Sequence, residues 1–143
     1  MTEMTTPEIE SLLNQTRIGR LCMASRDGKP YAIPLPFCWR DRAIYLRLPL
    51  TGRKGEVLRD NNRVCFEVDE YSETLDRYAS VLIEGRLIPV SDLDEKASAK
   101  QTNDLKYTRL RNGHRPGHGR NGNLTDLPMR KIVPTSISGR RKA

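Results

Sequence analysis

Arg53 and Lys54 stand where basic residues are usually avoided. They fall in "LTGRKGEVLRDNN", residues 50–62, which reads as a short helix over 52–61, opened by Thr51 and Gly52 and ended by Asn61-Asn62. A helix N-terminus exposes unpaired N–H groups and carries a partial positive charge, so acids are preferred in its first turn. Each cation placed there costs a few tenths of a kcal/mol, up to about 1, when nothing is bound. A bound anion reverses that sign. Arg53 can hold phosphate oxygens with its planar fork, Lys54 acts as a point charge, Thr51 adds a hydroxyl, and Gly52 lets the backbone approach closely. On the local sequence alone a solvated helix start explains the pair equally well, because "TGRK" has no Walker-type glycine spacing.

The other reactive residue types form no convincing constellation. His114 and His118 lie four apart in "GHRPGHGR", but its glycines and proline break the helix that would align them, and no Cys, Asp or Glu stands close. No metal site is expected there. Cys22, Cys38 and Cys65 are widely spaced, each in an apolar stretch, with no CxxC pair; they read as reduced thiols without an activating neighbour. No order of Ser, His and Asp suggests a nucleophile. Redox chemistry, if present, would come from a bound cofactor, and no residue is assigned as a catalytic acid or base.

These positions need a scaffold. "TPEIESLLNQT" (6–16) reads as an amphipathic helix with Thr6 as cap and Pro7 in its first turn. Strands follow over 17–25 and 31–39, joined by a turn at Asp27-Gly28; Pro34 and Pro36 mark the second as an edge or bulged strand. A third strand covers 43–50. After the Arg53 helix come strands at 63–71 and 78–91, the latter bent near Gly85, then a helix over 92–110. Residues 111–126 are a glycine-rich basic loop, a candidate lid over a phosphorylated ligand; 127–138 is a last strand and 139–143 a frayed tail. Six strands linked by hairpins predict a mainly β, α+β chain: one domain over 1–143, built as a small six-stranded antiparallel barrel carrying short helices.

The net charge of +7 is uneven. Residues 106–143 hold ten Lys/Arg and one acid, or +9; the remaining 15 basic and 17 acidic residues give −2. Such a tail raises a nucleic-acid-binding alternative, but aromatics are only 6% of the chain and the tail holds only Tyr107, so stacking platforms are missing. No run approaches 18 apolar residues, and "MTEMTTPEIESLL" lacks the order of a signal peptide; a cytoplasmic protein without a membrane span is expected.

The segments "GRLCMASRDGKPYAIPLPFCWRDRAIYLRL", "GRKGEVLRDNNRVCFEV" and "YASVLIEGRLIPVSDLDEK" together resemble the FMN-binding split-barrel superfamily of pyridoxamine 5'-phosphate oxidase-like proteins, nearest the subgroup that includes nitroimidazole-resistance proteins. The resemblance implies a homodimeric split barrel with FMN at the subunit interface and a small-molecule substrate. It implies phosphate binding by Gly52, Arg53 and Lys54 with Thr51, flavin contacts from Arg47, Leu48 and Pro49 on the preceding strand, a polar contact from Ser80, Phe37 bordering the ring, and Arg130 completing the site from the other subunit. An FMN-dependent oxidoreductase is the implied activity; a non-catalytic flavin, haem or deazaflavin binding protein is the alternative. Two departures narrow it. Arg47 stands where nitroimidazole-resistance relatives commonly carry histidine, and "LPMRKIVPTSIS" does not reproduce the substrate-binding segment of vitamin B6 oxidases.

Overall fold

Alternation organises the sheet. Leu21 and Met23 point inward while Arg20 and Cys22 point out; Val64, Phe66 and Val68 point inward while Cys65, Glu67 and Asp69 point out. This period of two, one face apolar, is what a half-buried strand requires. The computed structural model describes residues 1–112 and 123–142. Its elements are β1 (Thr2–Glu3), α1 (Thr6–Gln15), β2 (Gly19–Ala24), β3 (Pro30–Leu35), β4 (Cys38–Arg40), β5 (Ala43–Arg47), α2 (Gly52–Asp60), β6 (Arg63–Tyr71), β7 (Tyr78–Pro89), α3 (Leu93–Leu110), a 3-10 turn (Leu124–Asp126) and β8 (Met129–Lys142).

All pairings are antiparallel, in the order β3-β2-β6-β7-β8-β5-β4, with β1 added beside β8. The two ends of this path are β3 and β4, which are separated in sequence only by Pro36 and Phe37. A flat sheet of seven strands would hold its edges about 29 Å apart. The link from Leu35 to Cys38 spans at most about 11 Å. The sheet therefore curls into a split barrel, and its inner face becomes the core: Leu21, Ile44, Leu46, Val68, Val81, Ile83 and Ile132, with Phe37 and Phe66 in edge-to-face contact at 5.0 Å. β7 bends at a bulge between Glu84 and Gly85, where an added Cβ would collide with the Val133 carbonyl. A second apolar cluster, including Tyr45, Val90, Ala99 and Met129, seats α3 against β5 and β8.

The corner between β3 and β4 leaves buried backbone without a ladder. The side chains of α3 supply its partners. Phe37 N–H donates to Tyr107 Oη at 2.9 Å, and Lys106 Nζ donates to the carbonyls of Phe37 (2.9 Å) and Leu13 (3.0 Å) while lying 3.6 Å from the Phe37 ring centroid. Lys106 thus joins α1, the corner and α3. Lys96, equally buried, donates to the carbonyls of Leu124, Thr125 and Leu127.

The structure departs from the sequence reading in four places. The expected strand 31–39 is two strands, because Pro36 and Phe37 leave the ladder. The sheet consequently holds eight strands where six were expected, the other addition being β1. The expected frayed tail is ordered: β8 runs to Lys142, and Gly139 is buried against Ile9 and Met4, with its carbonyl accepting from Met4 N–H. The cap of α1 is Thr5, one residue before the expected Thr6, because Thr5 and Glu8 close a capping box. Most of the glycine-rich loop, with His114 and His118, lies outside the described residues.

Burial pushes the Lys106 ammonium down to about 8 from an ordinary 10.5, with Arg109 adding to the shift. Between those values the unfolded chain binds the proton that the folded chain has released, so stability rises with pH in that window. Relative to Lys106→Met, the wild-type unfolding free energy from urea titrations is expected to climb between about pH 8 and 10.5 and to run parallel below pH 7.

Candidate functional site

Three α-helices begin among the described residues, and two begin in the ordinary way. Thr5 caps α1 with Glu8 in its first turn; Asp92 caps α3 with Asp94 and Glu95 in its first turn. α2 has neither device. Thr51 occupies its cap position, but its side chain accepts from no backbone N–H of the turn, and no acid stands in the first turn. Gly52 adopts φ +63°, and nothing lies within 4 Å of where its Cβ would be. The helix start is thus open to solvent at the point where its N–H groups and dipole favour an anion.

Around this start four cations gather. Arg53 lies 4.9 Å from the Tyr31 ring centroid, a stacking that leaves the N–H edge of its guanidinium free. Lys54 Nζ donates to Thr51 Oγ1 at 3.3 Å. Arg59, from the last turn of α2, donates to the Leu50 carbonyl, and Arg130, from β8, donates to the Leu48 carbonyl. The two guanidiniums therefore bracket Pro49. Burial and the adjacent Arg59 charge hold the Arg130 pKa below its ordinary value. Among the described residues none of these four cations pairs with a carboxylate.

A second cleft has the opposite character. It is lined in part by Arg40, Tyr45, Glu95 and Lys131. The charges at its centre are paired: Tyr45 Oη donates to Glu95 Oε2 at 2.7 Å and Lys131 Nζ to the same oxygen at 2.6 Å. Those bonds hold the Glu95 carboxyl below its usual range, and burial with Glu95 pushes the Tyr45 phenol up to about 12. A neutralised network offers a charged ligand little. Among the described residues no group of three or more His, Cys, Asp or Glu could hold a metal.

Thr51, Gly52, Arg53 and Lys54 fall together, and Arg47 and Pro49 are exposed beside them at the end of β5 and just beyond it. Phe37 and Leu48 do not fit their expected part. Both side chains have 0% exposure, so neither can line a ligand's ring from this chain: Phe37 fills the corner above Phe66, and Leu48 belongs to the same core. Ser80 stands elsewhere, on the outward row of β7 between Asp69 and Arg140. Arg130, expected to act from a second subunit, donates to the Leu48 carbonyl of its own chain. Arg59 and Tyr31 were missed. The spacing of Arg53 and Arg59, six apart on one helix, carries no signal, and Tyr31 reaches the site only because β3 is an edge strand beside α2.

A family model described as pyridoxamine 5'-phosphate oxidase matches residues 5–141. The chain belongs to that family. No curated protein matches it in sequence. Among solved structures it is similar to an FAD-binding protein from Mycobacterium smegmatis (22% identity, TM-score 0.72, covering 99% of this chain and 98% of that one). It is likewise similar to an FAD-binding protein from Mesorhizobium loti (25%, 0.72, 99% and 96%). A third is a protein from Bacteroides thetaiotaomicron assigned to 5-nitroimidazole antibiotic resistance (20%, 0.76, 98% and 86%). These likenesses establish the pyridoxamine 5'-phosphate oxidase-like split barrel. Among the described residues no helix is long and apolar enough to cross a membrane.

In this pyridoxamine 5'-phosphate oxidase-like chain the α2 start is placed at a cost to the ligand-free fold. Lys54→Glu is expected to stabilise the ligand-free protein by about 1 kcal/mol in urea unfolding without phosphate, since an acid suits the dipole and relieves the repulsion among the four cations. A loss of stability would show that the cations are already compensated.

Proposed function

We propose that this protein binds a flavin, FMN by first choice, with the phosphate on the α2 start and the ring at the interface of a homodimer. The observation that carries the reading is the four-cation cluster, which pairs with no carboxylate among the described residues, at an open helix start, in a chain of this family. Arg53 and Lys54 would hold the phosphate, with Thr51 and Gly52 assisting. Arg59 and Arg130 would add field and keep the 48–50 backbone rigid beside the ring. Arg47 and Pro49 are the exposed groups of that segment able to meet it. The burial of Phe37 and Leu48 and the distant placement of Ser80 support a second subunit, because one chain presents little to enclose a planar ring.

When bound, a flavin supplies two-electron chemistry, which suits an oxidoreductase passing hydride from a reduced donor to a small organic acceptor. The chain's own part is to fix the ligand by its phosphate, shield one face and exclude water. The names of the similar structures favour FAD as the competing ligand; its phosphates would use the same cations.

The test is a spectrum and a titration. Purified protein is expected to be yellow or to take up added FMN, released intact on denaturation. Arg53→Ala with Lys54→Ala should weaken FMN affinity at least about 100-fold, the loss of two charge-assisted contacts. Parallel FAD titration decides between the flavins. A colourless protein that takes up neither flavin rejects the reading, and unchanged affinity in the double variant rejects the phosphate assignment.

A further inference from the structure

Cys22 and Cys65 are far apart in sequence and directly opposite in space. They are Cα partners across the antiparallel β2–β6 pair, and both side chains point to the outward face, because Leu21, Met23, Val64 and Phe66 on either side of them are buried inward. Directly opposite residues in such a pair have Cα atoms about 4.5–5.5 Å apart, within the range a disulfide bridges. Both thiols are free and partly open to solvent. Their outward row continues to Ala32 on β3 and Glu84 on β7. The small Ala32 leaves the approach to Cys22 open. Cys38 is different: it is buried and donates to the Ala99 carbonyl, with its thiol pushed up to about 11 by burial.

We infer that Cys22 and Cys65 form a redox-active dithiol that closes to a cross-strand disulfide by exchange with a small-molecule disulfide. The Cys22 thiolate attacks one sulfur of the oxidant, forming a mixed disulfide and releasing one thiolate. Cys65 then gives up its proton and attacks the Cys22 sulfur, closing the bridge and releasing the second small thiol. Two protein thiols are oxidised and one external disulfide is reduced to two thiols. Burial and the adjacent Cys22 push the Cys65 thiol up to about 11, with Glu84 and Glu67 adding to it, which suits the later, resolving role.

The bridge would act on the frame of α2. Asn61 Nδ2 donates to the Ala24 carbonyl at 2.9 Å and Arg26 N–H to Asp60 Oδ2 at 2.7 Å, so the C-terminal end of α2 is tied to the end of β2 and the turn after it, two to four residues from Cys22. β6 begins at Arg63, two residues from Cys65. Closure staples this frame and shortens the unfolded chain's freedom over the whole segment that holds α2. The inference does not depend on what the helix start binds.

The experiment incubates the full-length protein at pH 8.5 with excess oxidised glutathione, then alkylates with iodoacetamide in denaturant. The expected intact mass corresponds to loss of two hydrogens and a single alkylated thiol, Cys38. Tryptic digestion without reductant should give the fragment 21–26 joined to 64–77. The thermal midpoint should rise by about 5 °C or more and return on reduction. Cys38→Ser should close as the wild type does, and Cys22→Ser and Cys65→Ser should not. Three alkylated thiols, a stable glutathione adduct without closure, or a bridge between two copies would each overturn the inference.

Discussion

Two residues, Pro36 and Phe37, join strands that lie at opposite ends of a seven-strand path. That covalent reach is the constraint on which the rest of the molecule depends. It forces the sheet to curl and makes its inner face a core. It also leaves a corner of buried backbone that α3 has to satisfy with Tyr107 and Lys106. The long β7–β8 pairing then serves as the spine of the curl, and the bulge at Gly85 supplies the bend that an unbroken ladder would resist.

Against that frame the placement of charge is telling. The two buried ammoniums, Lys96 and Lys106, are surrounded by backbone carbonyls and give the fold connections between its helices and its loops. The four cations at α2 are treated in the opposite way. They gather around Pro49 and the start of the second helix, and among the described residues their partners are carbonyls, one hydroxyl and one aromatic face. One arrangement buries ammonium groups to satisfy backbone carbonyls; the other holds its cations exposed or half-exposed. A cation cluster left without acidic partners differs from a structural lysine in that respect, and the fold contains both.

Much of the architecture was legible beforehand. Period-two alternation, turn residues such as Asp27-Gly28 and amphipathic spacing are local signals, and they located three helices and all six long strands. The break at Pro36-Phe37 was half-visible: the prolines marked an edge, but only the return of the chain to the far side of the barrel splits it. β1 and the ordered tail were invisible because each is stabilised by the other and by Ile9 and Met4, not by its own composition. The side chains of Phe37 and Leu48 were misplaced for a related reason. Their neighbours in sequence suggest a ligand surface, whereas their neighbours in space are core residues.

The sequence by itself determined which segments become strands and helices, and it placed two cations at a helix start whose dipole disfavours them. These are properties of adjacent residues and of periods of 2 and 3.6. Only the tertiary structure decided that Arg59 and Arg130 join those cations, that Tyr31 stacks on Arg53, that Leu48 faces the core, and that Cys22 meets Cys65. Each of those depends on strand register and on the curl of the sheet. Both are set by long-range pairing and a two-residue reach, which no local pattern encodes.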